Sequence, residues 1–293
     1  MGKKVFKHRS SVRRRGLYRS RTGNALCFLF LIMLAAFMCL PLLYSVVQSL
    51  KPIDEIFAYP PRFFVKKPTL SNFVEAVYLS DSLWVPFSRY LFNSVAVSVI
   101  GTAANVFIAT FAAYALAKGT FPGRQLFSNI IVWTLLFSGQ VTAIPQYIVL
   151  SKLGLINTYG ALILPALAGT MGVFLMRQFM LSAIPDSVLE AARIDGASEA
   201  TLLVKIVFPC VRPGWLTLII FSFQSFWGSN GGSYIYDENL KMLPNIASSI
   251  SAGGMARAGA TAAVGVILMI PPIVIFVFSQ SSVMETMSHS GLK

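Results

Sequence analysis

Six stretches of this chain have the length and apolar character of membrane-spanning helices. Six windows of 24 to 29 residues contain no charged side chain, and about 20 mostly apolar residues are enough to cross the hydrocarbon core of a bilayer. None of the windows alternates apolar and polar positions as short β-strands would. The pattern therefore predicts an all-α integral membrane protein with six transmembrane helices, near residues 25–48, 92–117, 126–149, 158–177, 213–231 and 259–281.

Polar residues and prolines divide the rest of the chain. Within the long segment 49–90, residues 70–79 have the apolar spacing of a helix, which we expect at the membrane surface. Pro145 and Pro271–Pro272 fall inside two of the windows, where proline either breaks a helix along a transport pathway or is simply tolerated. The predicted organisation is a basic tail (1–24), a first transmembrane helix (25–48), an external loop (49–90), a five-helix core (91–281) with an internal loop (182–209), and a C-terminal tail (282–293).

Composition agrees with a membrane protein. Only 12% of the residues are charged and the mean hydropathy is +0.68, whereas soluble domains carry about 25% charged residues. These values exclude a disordered chain and an ordinary cytosolic enzyme. The three cysteines are too few and too scattered for a disulfide framework or a zinc site.

The net charge of +13 is concentrated at the N-terminus. Residues 1–24 contain nine basic residues and no acidic residue. Such a tail binds nucleic acid, contacts anionic lipid or fixes topology. Because a predicted transmembrane helix follows it, we interpret the tail as a topology signal that also contacts the lipid bilayer, and no nucleic-acid partner is needed.

Basic residues in the loops indicate the orientation. If the N-terminus is cytoplasmic, the internal segments hold 16 Lys and Arg and the external segments hold 8, as the positive-inside rule expects. Both termini are then cytoplasmic. A cleaved signal peptide is the alternative for residues 1–48, but its apolar region would be about 7–15 residues long and would end in small residues.

The chain shows no energy source of its own. It has no Gly-x-x-x-x-Gly-Lys-Ser/Thr phosphate loop, and its two histidines, His8 and His289, lie in the tails. The six windows hold no ionisable Asp, Glu, Lys or Arg that could relay protons, bind a metal or act as an acid or base. A proton relay, a metal site and acid–base catalysis in the membrane are therefore not expected. The chain is therefore either a passive channel or a subunit that a partner drives.

The internal loop 182–209 has the signals of two short helices. Ser187-x-x-Glu190 has the spacing of a capping box, and Gly196 suits the position that ends a helix. Ser198 can cap the next helix, which we expect to end before Pro209. The sequence therefore predicts a helix–glycine–helix.

These residues carry a family resemblance. Glu190-Ala-Ala-x-x-Asp-Gly-Ala197, with Ile206 and Pro209, resembles the EAA loop of bacterial ABC importer permeases, and of maltose-type carbohydrate permeases in particular. The resemblance extends over about residues 70–293 through Ala112–Lys118, Ile144–Tyr147, Gly154–Thr158 and the C-terminal end. Many members of the family have Trp-Asn near the end of the fifth helix, where this chain has Trp227-Gly-Ser-Asn230. This variant resembles the branch of the family that moves larger oligosaccharides, some derived from acidic polysaccharides such as alginate or pectin.

The resemblance implies a mechanism and partners. The loop would dock on a cytoplasmic ABC ATPase dimer, which holds ATP and Mg, so no cofactor is expected in this chain. A second six-helix permease subunit would complete a heterodimer, and an extracytoplasmic solute-binding protein would deliver the oligosaccharide across the bacterial inner membrane. The implied coupling residues are Glu190, Ala191, Ala192, Asp195, Gly196 and Ala197.

Candidate substrate contacts are polar and aromatic residues near the predicted helices: Gln140, Gln146, Gln224, Trp227 and Asn230. Gln224 and Trp227 are three residues apart and are expected to share a helix face. Amides bind sugar hydroxyls and indole rings pack on sugar faces, but glutamines in membranes also hydrogen-bond other helices.

A stand-alone channel or secondary carrier for small polar solutes is the alternative function, and it would not need an EAA loop. A membrane enzyme would need convergent reactive groups, which the sequence does not show.

Overall fold

The computed structural model describes residues 21–81 and 84–290, which contain helices and turns but no β-strand. Residues 1–20 of the predicted basic tail lie outside the described residues, as do 291–293. The α-helices are α1 (Arg21–Ser49), α2 (Ile53–Ile56), α3 (Ser71–Asp81), α4 (Phe87–Lys118), α5 (Arg124–Thr134), α6 (Gly139–Lys152), α7 (Tyr159–Leu167), α8 (Thr170–Ala183), α9 (Asp186–Ile194), α10 (Glu199–Thr201), α11 (Phe208–Cys210), α12 (Arg212–Trp227), α13 (Leu243–Ser251) and α14 (Ala258–Ser290).

Four described segments are long and apolar enough to cross a membrane: Thr22–Ser49, Phe87–Lys118, Tyr159–Ala183 and Gly254–Gln280. Two further pairs of helices pass the same test only together, because each is sharply bent. The bend is 113° between α5 and α6 and 79° between Glu199–Cys210 and α12. The structure therefore confirms an all-helical chain with four membrane-span candidates, or six if each bent pair counts as one span.

The prediction of one continuous helix over 126–149 is wrong. The chain bends between α5 and α6, where Ser138 has extended backbone angles (φ −76°, ψ 150°) and precedes the first residue of α6. Pro145 lies inside α6 and does not end it. Ser138-Gly139-Gln140 interrupts the apolar window with residues of low or moderate helix propensity, so the break falls there.

Several predicted boundaries also move. Helix α4 begins at Phe87, so the last residues of the predicted external loop 49–90 are helical. The fourth predicted helix extends to Ala183 and includes Arg177, and α12 ends at Trp227 rather than at residue 231. Helix α14 continues through Pro271–Pro272 to Ser290, so most of the predicted C-terminal tail is a continuation of the last helix.

The contacts divide the chain into two units, with the boundary between Ser45 and Val46. In the first unit, the side chains of α1 from residue 22 onward are almost all exposed, and most of them are apolar. A helix that is apolar on all sides suits a lipid environment.

In the second unit α4 is the central helix, because its residues contribute to all three apolar clusters. Ala113 and Ala117 pack with Met176, Leu189 and Val207 in the first cluster. Tyr90 belongs to the second cluster, with residues from α3, α12, α13 and α14. Val97 belongs to the third, with residues from α6, α7 and α12. We use two names for the ends of the second unit. The distal end is where α4 begins, and the EAA end is where α4 finishes. The 32 residues of α4 separate the two ends by roughly 48 Å.

The predicted helix over 70–79 is present as α3. One side of it is buried through Asn72, Ala76 and Ser80, and it packs against α14. The Asn72 amide donates hydrogen bonds to the Ser49 carbonyl at 2.8 Å and the Lys51 carbonyl at 2.7 Å. Helix α3 is therefore tied into the second unit and does not lie free on a membrane surface.

The packing of α4 on α12 depends on Gly101. A Cβ built at Gly101 lies 2.5 Å from the ring of Phe226, which is 2% exposed. We expect Gly101→Val to lower the free energy of unfolding by about 1–3 kcal/mol, as overpacked cores do. Gly139→Ala is the control, because nothing lies within 4 Å of a Cβ there. Thermal melting of the detergent-solubilised protein tests this expectation, and equal melting temperatures for both variants would contradict it.

Candidate functional site

The EAA loop has the predicted helix–glycine–helix geometry. Helix α9 ends at Ile194, and Gly196 follows with φ +81°. The Gly196 N–H bonds to the Arg193 carbonyl and the Ala197 N–H bonds to the Ala192 carbonyl, both at 3.0 Å. These two bonds form a Schellman motif, which requires a left-handed residue at the glycine position. Gly196 therefore turns the chain sharply between the two helices.

Two local predictions in this loop are wrong and one is confirmed. Helix α9 starts after Pro185, so Ser187 and Glu190 lie inside it and form no capping box. Ser198 does cap the second helix, since its side chain accepts a hydrogen bond from the Thr201 N–H. That helix continues past Pro209 to Cys210, because residues 202–207 widen into a π-helix in which the Phe208 N–H bonds to the Leu203 carbonyl.

The loop is anchored at its start by Leu189 and Lys118. Leu189 is 1% exposed and packs in the cluster that α4 and α8 share. The Lys118 ammonium, at the end of α4, donates to the Ile184 carbonyl at 2.7 Å and to the Asp186 carboxylate at 2.6 Å. The hydrogen bond from Lys118 lowers the pKa of Asp186, so this carboxylate is ionised at neutral pH.

Glu199 joins the second helix of the loop to α4. Its carboxylate accepts from the Tyr114 hydroxyl at 2.6 Å and from the Arg193 guanidinium at 2.8 Å. Because Tyr114 belongs to α4 and Arg193 to α9, this single carboxylate connects three helices. The loop is therefore held to the central helix from both sides of Gly196.

The outer side of the loop is open. Glu190, Ala191, Asp195 and Gly196 are exposed, whereas Ala192 and Ala197 are half-buried against the core. Ile194 lies among them with 87% of its surface exposed. Sequence reasoning missed Ile194, although its position four residues after Glu190 places it on the same side of α9. The face combines carboxylates with a largely exposed apolar side chain.

A groove runs along α12 toward the distal end. It consists of three adjoining clefts of about 220, 150 and 370 Å³. The first two clefts share Ala166, Ser225 and Phe226, and the last two share Gly232 and Tyr234. Because neighbouring clefts share these lining residues, we refer to the three together as the groove.

The polar residues that line the first two clefts are Asn105, Gln146, Tyr234 and the serines Ser222, Ser225 and Ser229. Ser222 and Ser225 are three residues apart in α12, which places them on one side of that helix, and Ser229 follows two residues after the helix ends; sequence reasoning missed these serines. Asn105 is 6% exposed, donates to the Ala166 carbonyl and accepts from the Ser222 hydroxyl, both at 2.9 Å. It ties α4 to α7 and α12.

The structure brings only one of the five predicted substrate contacts, Gln146, into the groove. Gln140 and Gln224 are exposed outside its walls. Asn230 accepts a hydrogen bond from the Gly232 N–H at 3.0 Å and shapes a turn. Gln224 and Trp227 are three residues apart in α12, but only Gln224 is exposed, since Trp227 is 3% exposed.

Trp227 has a structural role that explains its burial. Pro272 has no N–H, so the Leu268 carbonyl four residues earlier has no donor within the helix. The Trp227 indole N–H donates to that carbonyl at 2.9 Å, and the indole ring stacks on Phe223. Trp227 therefore packs against α14 rather than lining the groove.

The distal end is closed by the segment after α12. The Asn93 amide donates to the Asn239 and Lys241 carbonyls at 2.7 and 2.9 Å. The Tyr90 hydroxyl donates to the Glu238 carboxylate at 2.9 Å. These bonds fix residues 238–241 on the start of α4.

Comparison with known proteins places these features in a family. The family model described as "Binding-protein-dependent transport system inner membrane component" matches residues 105–284. The chain is 28% identical over 281 residues to the polygalacturonan/rhamnogalacturonan transport system permease protein YtcP of Bacillus subtilis, covering 89% of this chain and 95% of that protein. It is 27% identical over 275 residues to the arabinooligosaccharides transport system permease protein AraQ of Halalkalibacterium halodurans, with coverages of 91% and 94%.

The fold also matches a solved structure. A chain of a bacterial ABC transporter involved in the import of the acidic polysaccharide alginate superposes with a TM-score of 0.73 at 22% identity, covering 91% of this chain and 99% of that chain. The similarity extends over nearly the whole of both chains, so the arrangement of helices described above is that of a known transporter fold.

The contact between Trp227 and Leu268 predicts coupling between two substitutions. Trp227→Phe should cost about 1–3 kcal/mol of unfolding free energy, because it leaves a buried carbonyl without a donor. In a Pro272→Ala background the backbone regains an N–H that can donate to this carbonyl, so the same substitution should cost less. Melting temperatures of the two single variants and the double variant form the cycle. An equal cost of Trp227→Phe in both backgrounds would exclude this role.

Proposed function

The chain belongs to the family of inner-membrane components of binding-protein-dependent transport systems, and on this premise we propose that it is the permease subunit of an ABC importer for oligosaccharides. Its EAA end faces the cytoplasm, and both termini are cytoplasmic. A stand-alone channel is not favoured, because proteins of this family work with a binding protein.

The observation that carries the proposal is the exposed face of the EAA loop. Glu190 and Asp195 flank an exposed Ile194 on a helix that Leu189, Lys118 and Glu199 fix to the bundle. Because this exposed face carries the residues that resemble the EAA loop of the family, we expect it to meet a protein partner. The partner is a cytoplasmic ABC ATPase dimer that holds ATP and Mg, so this chain has no enzymatic activity. Movement of the ATPase reaches α4 through Lys118 and Tyr114.

The groove along α12 is proposed as this chain's half of the transport pathway. It is lined by serine hydroxyls and by the amide of Gln146 among apolar side chains, a mixture that suits sugars. One side of the groove is open, and a second six-helix permease subunit closes it in a heterodimer. An extracytoplasmic binding protein delivers the substrate at the distal end.

The substrate class comes from the relatives, whose names specify polygalacturonan/rhamnogalacturonan and arabino-oligosaccharides. The first is acidic and the second is neutral. Two charged groups of segment 49–90 are used within the fold: the Lys51 ammonium donates to the Arg62 carbonyl at 2.6 Å, and Glu55 accepts from the Lys66 and Lys67 N–H groups. The charges of this segment therefore give no support for a preference for acidic sugars, and we propose oligosaccharides as the class.

Substitutions on the exposed face should weaken ATPase binding. We expect Glu190→Lys and Ile194→Glu each to lower the amount of ATPase that co-purifies from native membranes about tenfold, as interface hot spots do. Gln125→Lys is the control, because it also introduces a lysine at an exposed position of the same end. Melting temperatures establish that the variants fold. Wild-type co-purification together with wild-type ATP-driven uptake would refute the docking role.

Gly196 should respond in a graded way. A Cβ there meets nothing within 4 Å, so the cost of a substitution comes from the backbone angle of φ +81° and not from a clash. Asparagine adopts left-handed angles more readily than β-branched residues do. We expect Gly196→Asn to keep most of the coupled ATP hydrolysis and Gly196→Val to lose most of it. Equal activity of the two variants would show that the turn does not matter.

Uptake by the reconstituted complex tests the substrate class. The chain, its co-purified partners and the binding protein are placed in liposomes with ATP inside. Labelled malto-oligosaccharide and galacturonate oligosaccharide are then compared with a labelled peptide. We expect uptake of at least one of the two sugars. Uptake of the peptide and neither sugar would reject the carbohydrate assignment.

A further inference from the structure

Three tyrosine rings lie together at the distal end of the groove. The ring of Tyr147, from α6, stacks on that of Tyr234 with centroids 6.2 Å apart and an angle of 23° between the planes. The Tyr147 hydroxyl is 2.9 Å from the Tyr236 hydroxyl. Tyr147 is 37% exposed and Tyr236 is 59% exposed, so the rings are joined to each other and still face outward.

The segment that carries two of these rings is rigid. The Asn157 amide oxygen accepts hydrogen bonds from the Tyr236 and Asp237 N–H groups at 3.0 and 2.8 Å, and the Asn157 N–H donates to the Tyr234 carbonyl at 2.8 Å. Asn157 has φ +62°, a conformation that asparagine tolerates better than most residues. A ligand therefore meets rings that are already in place, which lowers the entropic cost of binding.

The rings border an open cleft of suitable size. Tyr147 and Tyr234 line the cleft of about 370 Å³, which falls in the range of small-molecule sites. The cleft shares Gly232 and Tyr234 with the next part of the groove, where Gln146 lies. No charged side chain lines this cleft among the described residues.

We infer that Tyr147, Tyr234 and Tyr236 form a sugar-stacking platform at the distal mouth of the groove, where the substrate first contacts this chain. The inference rests on the proposed carbohydrate function and specifies where the sugar binds. Tyrosine offers an apolar ring face for the C–H groups of a pyranose and a hydroxyl for its O–H groups. Because the platform is uncharged, it accepts neutral and acidic sugar rings alike.

A purely structural role for the tyrosines makes a different prediction. If they only join α6 to the segment after α12, the hydroxyl contact between Tyr147 and Tyr236 is the important feature. If they stack on sugar, the rings are the important feature. Removing one hydroxyl and removing one ring therefore separate the two roles.

The test compares uptake of labelled maltotriose and trigalacturonate by proteoliposomes that contain the complete complex. Tyr147→Leu and Tyr236→Leu remove a ring, and Tyr236→Phe removes only the hydroxyl. Tyr78→Leu is the control, because Tyr78 is 75% exposed on α3. We expect the two ring-removing variants to lower uptake of the transported sugar roughly 2- to 12-fold, the equivalent of about 0.5–1.5 kcal/mol for an aromatic contact, and Tyr236→Phe and Tyr78→Leu to stay near the wild type.

The other outcomes each have a definite meaning. Wild-type uptake by both leucine variants would overturn the platform alone. A loss with Tyr236→Phe as large as with Tyr236→Leu would assign the tyrosines to the structural role and also overturn the platform. Failure of the wild-type complex to take up either sugar would overturn the proposed carbohydrate function and the platform with it.

Discussion

Backbone carbonyls that lose their helical donor in apolar surroundings are the constraint that organises this chain. A bent or proline-containing helix leaves such groups unpaired, and each costs several kcal/mol away from water. Here side chains from elsewhere in the chain supply donors: Trp227 donates to Leu268 before Pro272, and Asn105 adds a bond to Ala166 at the end of α7, whose carbonyl also accepts from the Gly169 N–H. Arg124 donates to the carbonyls of Leu116, Ala117 and Gly119 at the end of α4.

These donors also decide which surfaces remain available for function. Because Asn105 joins α4 to α7 and α12, the groove has a fixed floor lined by the hydroxyl of Ser222 and the neighbouring serines. Because Trp227 is used in the contact with α14, it does not contribute an indole to the groove. Polar residues in an apolar bundle thus divide into those that hold helices together and those that stay open along the groove, and only the contacts between helices distinguish the two groups.

This division explains how far the sequence could predict the molecule. Charge-free windows predict helices because apolar length is a local property, and the glycine turn at Gly196 is local as well. The positions of Gln146, Gln224 and Trp227 relative to the groove depend on packing between distant segments. Trp227 and Leu268 are 41 residues apart. Predicting the hydrogen bond between them requires two facts: Pro272 removes the helical donor of the Leu268 carbonyl, and α12 places the Trp227 indole beside that carbonyl. Ser222, Ser225 and Ser229 were readable in the sequence and mark the groove better than the glutamines do.

The same reasoning connects the two ends of the molecule. The EAA loop is attached to α4 through Lys118 and Glu199, and the distal segment is attached to the start of the same helix through Tyr90 and Asn93. A helix resists bending far more than a loop does, so a displacement imposed on the EAA end moves the distal end with it. The groove lies beside α4 between these two attachments, and Asn105 fixes its floor to that helix. A continuous central helix with polar contacts at both ends therefore links the EAA loop, the floor of the groove and the distal segment.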